Sequence, residues 1–185
     1  VASYLQIERS VRNELAVEAS MMEERLGASL DILTRDMSSL SSNTLVATGL
    51  LDSHGRETYL TPFLRDYHSS LGVPVILSLH DFQGGAIAGN NPGGSPSFYK
   101  APWVESVIAQ ALPHADIFPG ADGNYLRLAY PVLYPSTGHA EGILVAEFNL
   151  TKLFRSASRQ GDSRFTKHFL DGKGTHVGEQ HGDDH

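Results

Sequence analysis

The apolar positions of the chain change period partway along. From about Ser3 to Leu40 they repeat as on a helix: Leu5, Ala19, Leu26, Leu33 and Leu40 fall at multiples of seven. Leu15 and Met22 share a second heptad position, and Leu30 and Met37 share a third. No proline interrupts, and Gly27 is the only glycine. At 1.5 Å per residue such a helix is roughly 55 Å long, more than one small domain can cover. One part is expected to lie on the domain, the other to project or to pair with a second copy. Glu8, Arg12, Ser29 and Asp36 break the apolar seam. A core helix and a dimer seam both fit the pattern.

Ser38 to Asn43 ends or bends this helix. A second helix is expected over Thr44–Leu51, a loop over Asp52–Gly55, and a third helix over Thr58–Ser69. The period then shortens to two. Strands are expected at Val73–His80, Ala86–Gly89, Asp116–Phe118, Tyr125–Tyr134 and Glu141–Leu150, with a short helix at Ala101–Leu112. The first two strands form a hairpin around Asp81-Phe82-Gln83-Gly84. Asp81 can accept from backbone N–H groups two residues on, and Gly84 or Gly85 can take positive φ where the chain reverses. Pro131 lies inside the fourth strand and cannot donate to a ladder. It requires an edge, a bulge or a neighbour too short to reach it, and a three-residue third strand would be such a neighbour. Thr151–Ser158 reads as a short helix, and Arg164–Leu170 with Thr175–Val177 as a further strand–turn–strand.

Composition narrows the function. Hydrophobic residues make up 41% of the 185 and charged residues 19%, which permits a packed core. The net charge of -7 argues against nucleic acid as a partner. There is no cysteine, which fits an oxidising compartment without proving one. No apolar run has the length of a membrane span. Val1 falls inside a helical pattern and His185 follows a turn-like stretch. The chain therefore reads as a piece of a longer, membrane-anchored parent.

The order of long helix, short helices, strand, Asp-x-x-Gly, strand, loop with helix, and three strands resembles an extracytoplasmic Cache domain, a PAS-like sensor module. The residues that carry the resemblance are Leu40-Ser41-Ser42-Asn43, Leu60-Thr61-Pro62-Phe63-Leu64, Leu79-His80-Asp81-Phe82-Gln83-Gly84, Ala86-Ile87-Ala88, Leu128-Ala129-Tyr130-Pro131-Val132 and the run from Gly142 to Phe154. It covers roughly Ser3 to Phe154. It implies an α+β fold: a long N-terminal helix on one face of a five-stranded antiparallel sheet, short helices over the other face, and a small ligand beneath them. It also implies a place outside the cytoplasmic membrane, in a sensor histidine kinase first, or in a diguanylate cyclase or chemoreceptor. The division it suggests is a signalling and dimerisation helix over 1–42, a sensor core over 43–154, and a segment over 155–185 that opens a second module or adds flanking strands. Amino-acid-binding members carry an Arg-x-Trp-Tyr-type signature. Here the matching stretch is Phe98-Tyr99-Lys100-Ala101-Pro102-Trp103, which counts against amino-acid sensing.

Alternation places Leu126, Leu128, Tyr130 and Val132 on one face of the fourth strand, and Tyr125, Arg127 and Ala129 on the other. In the fifth strand Glu147 and Asn149 fall on the second face, across from Arg127. The candidate ligand-binding set is Arg127, Tyr125, Glu147 and Asn149, with Tyr99 and Trp103 closing the lid. The planar fork of Arg127 suits a carboxylate. An exposed sheet face with a cross-strand ion pair fits the same residues. His80 and Asp81 could form an acid–base or metal pair, but the turn already accounts for Asp81. His168, His176, His181 and His185 with Asp183 and Asp184 match no zinc spacing. No Gly-x-Ser-x-Gly, His-Glu-x-x-His or Walker loop is present, so no catalytic residue, metal or cofactor is expected. The expected partners are a small molecule and a second copy in a parallel homodimer. The alternative is a structural dimerisation module that binds no small ligand.

Overall fold

In the computed structural model, which describes Ile7 and residues 23–168, helix α1 (Glu23–Ser41) turns one stripe inward. Leu26, Leu30, Leu33, Met37 and Leu40 are buried at 5% exposure or less. Their alternating spacing of four and three keeps them on one helical face. The first and third heptad positions therefore meet the protein's own core, and over Glu23–Ser41 the helix is a core element. Asp36, an interruption in the seam, accepts from Ser70 N at 2.9 Å and Ser70 Oγ at 2.6 Å. The other seam positions Leu5, Glu8, Arg12, Leu15, Ala19 and Met22 lie outside the described residues.

Helix α2 (Thr44–Leu51) is capped by Asn43, whose Oδ1 accepts from Leu45 N at 2.9 Å. The chain then stays helical where a loop was expected. Asp52 caps α3 (Ser53–Gly55) by accepting from His54 N at 3.1 Å, a π-turn covers Arg56–Leu60, and α4 (Thr61–Arg65) follows. Arg56 reaches back to Gly49 O at 2.8 Å, so a cation satisfies the end of α2. Leu60 fills the space beside Gly49, where any Cβ would lie 2.3 Å from Leu60 Cδ2.

The sheet has five antiparallel strands in the order β2-β1-β5-β4-β3. These are β1 (Ile76–Asp81), β2 (Ala86–Gly89), β3 (His114–Gly120), β4 (Gly123–Leu133) and β5 (Ala140–Asn149). Helix α5 (Pro102–Gln110) enters between β2 and β3, and α6 (Leu150–His168) leaves β5 directly. Strand β3 has seven residues instead of the expected three. Its pairing still stops at His114–Ala129, two residues short of Pro131, so β3 asks no N–H of that ring. The expected strand from Arg164 is helical as far as His168. The remainder of that strand–turn–strand, and the tail residues His176, His181, Asp183, Asp184 and His185, lie outside the described residues.

One sheet face packs Leu126, Leu128, Tyr130, Val132, Leu144, Ala146 and Phe148 against α1 in the main core. Burial pushes the Tyr130 phenol up to about 12. On the opposite face a smaller core joins Val104 and Val107 of α5 to Ala129, Ile143 and Val145.

Candidate functional site

The β1–β2 turn forms as the sequence requires. Asp81 Oδ1 accepts from Gln83 N and Gly85 N, both at 2.9 Å. Gly84 has φ +94°. A Cβ there would also sit 2.3 Å from Phe98 O, so only glycine fits. The turn in turn holds the segment before α5: Phe98 N donates to Gly84 O and Lys100 N to Gln83 O, each at 2.9 Å. His80 is fully buried beneath it. Its Nε2 lies 2.7 Å from Ser78 Oγ and its Nδ1 lies 3.2 Å from Gly84 O. Burial lowers its pKa to about 4, so the ring is neutral, with Nδ1–H donating to Gly84 O and Nε2 accepting from Ser78. These bonds make His80 a support for the turn rather than an acid–base partner for Asp81.

Phe98, fixed by this turn, begins an aromatic cage. Its ring lies 4.8 Å from His80 and 5.1 Å from Trp103. Trp103 stacks on His114 at 5.2 Å with an interplanar angle of 8°. Inside the cage is Arg127, whose guanidinium carbon is 4.2 Å from the Phe118 ring centre, 4.9 Å from Phe98 and 5.4 Å from Trp103. Each such contact favours a cation over an aromatic face.

Register lines up the charges. Asp116, Arg127 and Glu147 stand opposite one another on β3, β4 and β5. Arg127 Nη1 donates to Asp116 Oδ2 at 2.8 Å, and Arg127 Nε is 3.5 Å from Glu147 Oε2. The second distance is an ion pair but not a hydrogen bond. Burial raises the Glu147 pKa, and the guanidinium pulls it back. His114 Nε2 lies 3.5 Å from Asp116 Oδ1. Three buried polar atoms in this group have no hydrogen-bond partner: Arg127 Nε, Asp116 Oδ1 and His114 Nε2. Such atoms are costly unless something else satisfies them.

Of the six residues singled out in the sequence, Arg127, Glu147 and Trp103 meet in this cage. Tyr125 and Asn149 sit one row along, opposite each other. The Tyr125 hydroxyl bonds Asp122 Oδ1 at 2.5 Å, and this bond is the main reason its pKa is raised. Asn149 accepts from Lys152 N at 3.1 Å, so it caps α6. Tyr99 is 58% exposed, with the Lys100 ammonium 5.3 Å from its ring. Its described contact is outward, not over Arg127.

Sequence reasoning left out His114, Asp116, Phe118 and Phe98 as site residues. The first three alternate along β3, and period two would have placed them on one face. A strand read as three residues long hid His114. Phe98 had no periodic signal, because a turn–loop hydrogen bond positions it.

No protein-family model matches the chain, and no curated protein matches it in sequence. Solved structures do match in fold. The sensor domain of the V. cholerae histidine kinase DctB aligns with TM-score 0.59 at 18% identity, over 80% of this chain and 60% of that one. The E. coli DcuS sensor domain aligns with TM-score 0.54 at 14% identity, over 72% of this chain and 97% of that one. The chain shares its fold with these two domains. The expected α+β architecture is therefore present, with the long helix on one face and α5 on the other. The chain spans three fifths of the DctB sensor domain and nearly the whole of the DcuS one.

Proposed function

We propose that this chain is the extracytoplasmic ligand-sensing part of a membrane signal-transduction protein, and that it is not itself an enzyme. Its fold neighbours are sensor domains, one of them from a histidine kinase. A histidine kinase is the first choice of output, with a diguanylate cyclase or chemoreceptor as alternatives. Membrane anchoring, a parallel homodimer and a segment over 155–185 that opens a second module or adds flanking strands belong to the same reading. Among the described residues no helix is long and apolar enough to cross a membrane.

One observation carries the ligand site: Arg127 Nε, Asp116 Oδ1 and His114 Nε2, buried without hydrogen-bond partners and gathered under Trp103. They offer a donor, an acceptor and a ring nitrogen that can be either. A small molecule with both a donor and an acceptor satisfies all three. A carboxylate at Arg127 would compete with Asp116 for the guanidinium. Tyr125, Asn149 and Tyr99 are rim positions in this reading. Binding that favours one of two arrangements of sheet and helix would carry the signal.

The alternative, a dimerisation module with no ligand, draws support from Arg127 being paired and covered by three rings already. The deciding experiment uses Trp103, the only tryptophan in the chain. Small carboxylates, amines, amino acids and nucleobases are titrated while Trp103 emission and melting temperature are followed. The sensor reading expects a saturable emission change and a stabilisation by mass action, both lost in Arg127→Ala. Silence across the set, with a concentration-dependent dimer, would favour the alternative.

A further inference from the structure

A second polar region lies away from the aromatic cage, around the loop that leads into β1. Two cavities flank this loop, of ≈ 390 and ≈ 330 Å³, and both are lined by Gly72, Val73 and Pro74. The larger is completed by Lys152, Arg155, Ser156 and Arg159 of α6. The smaller adds Arg65 and His68. Four of the fourteen lysines and arginines of a chain with net charge -7 thus surround one loop. Among the described residues no Asp or Glu lines either cavity, and Lys152, Arg155 and Arg159 have no ion-pair partner. Asp36 reaches the loop from α1, but both its oxygens are taken by Ser70.

Lys152, Arg155 and Arg159 are exposed at spacings of three and four, which puts them on one face of α6. Ser156 Oγ on that face donates to Leu71 O at 3.3 Å and fixes the loop against the helix. Repulsion among three like charges is a standing cost that an anion between them removes. Lysine and arginine forks together suit an oxyanion with several acceptor oxygens.

We infer that the cavity between the Leu71–Pro74 loop and α6 is an anion site for a phosphate-class group, held by Lys152, Arg155 and Arg159. This site is separate from the aromatic cage and does not depend on the reading of that cage. Inorganic phosphate, a phosphomonoester and the headgroup of an anionic lipid present the same chemistry.

The test takes the whole chain in two arms, with folding checked by circular dichroism. In the first, inorganic phosphate is titrated against chloride of equal ionic strength by calorimetry. In the second, the protein is sedimented with vesicles of phosphatidylglycerol or of phosphatidylcholine. Saturable phosphate binding weakened about ten-fold or more in Arg155→Gln/Arg159→Gln supports a site for the free anion. Binding only to phosphatidylglycerol vesicles, lost in the same variant, assigns the site to a lipid headgroup. Binding that the variant leaves unchanged, or no binding in either arm, overturns the inference. Lys152→Gln, at a solvent-exposed position, replaces the double variant if that one fails to fold.

Discussion

Asp116 and Arg127 face each other across β3 and β4, joined by one 2.8 Å bond that leaves Asp116 Oδ1 and Arg127 Nε without a hydrogen-bond partner. Their dependence is unequal. Removing Asp116 leaves Arg127 with Glu147 and three rings. Removing Arg127 leaves two carboxylates without the cation between them. Arg127→Ala is therefore expected to cost about 2–3 kcal/mol, and Asp116→Ala about 1 kcal/mol. The double variant should lose less than the sum, because the lone charge is removed with its partner. Urea unfolding of the four proteins gives the coupling, and strict additivity would rule it out.

Gly84 carries two demands, a positive φ and contact with Phe98 O. Gly84→Ala is expected to destabilise by about 2–4 kcal/mol and to release the segment that carries Phe98. Gly94, also at positive φ but with nothing within 4 Å, makes the control. Gly94→Ala should cost about 1 kcal/mol. Equal losses in thermal unfolding would show that the contact with Phe98 does not matter.

His80 supplies a pH dependence. Its pKa falls from 6.5 to about 4 in the folded chain because burial penalises the imidazolium. Between those values the unfolded chain takes up a proton that the folded chain refuses. Stability is thus complete above pH 6.5 and declines as the pH falls towards 4, by about 3 kcal/mol at most. His80→Gln should flatten that slope while losing about 1–2 kcal/mol at neutral pH from the broken bonds to Ser78 and Gly84. An unchanged slope would mean that His80 is not held neutral.

Asn149 ties the sheet to the last helix. Asn149→Ala removes the cap and should cost about 1 kcal/mol. Asn149→Asp keeps an acceptor at the cap and should restore most of it. Loss in both variants alike, in denaturant titrations, would place the role of Asn149 elsewhere.

The parts of this fold legible in the sequence were those that repeat. The boundaries of α2 and β2 and the pairing of Arg127 with Glu147 followed from periods of 3.6 and two. The hairpin followed from the side chain of Asp81 and the φ of Gly84. Illegible were features decided by distant partners. Asp36 looked like a flaw in a heptad until Ser70, 34 residues on, gave it a bond. Phe98 looked like loop, and its place comes from Gly84 O. The place of His114 beside Asp116 needed the true length of β3, which local propensity understated. Asn149 was read from its face alone, and its bond from Lys152 N depends on where α6 starts.

Strand β5 ends at Asn149 and α6 begins at Leu150, with no connecting residue. A flexible joint would act as a spring and absorb small displacements of the strand as entropy. A joint of zero length acts as a crank. A slide or twist at Glu147 becomes a swing of the helix axis, and the far end of α6 magnifies it in proportion to helix length.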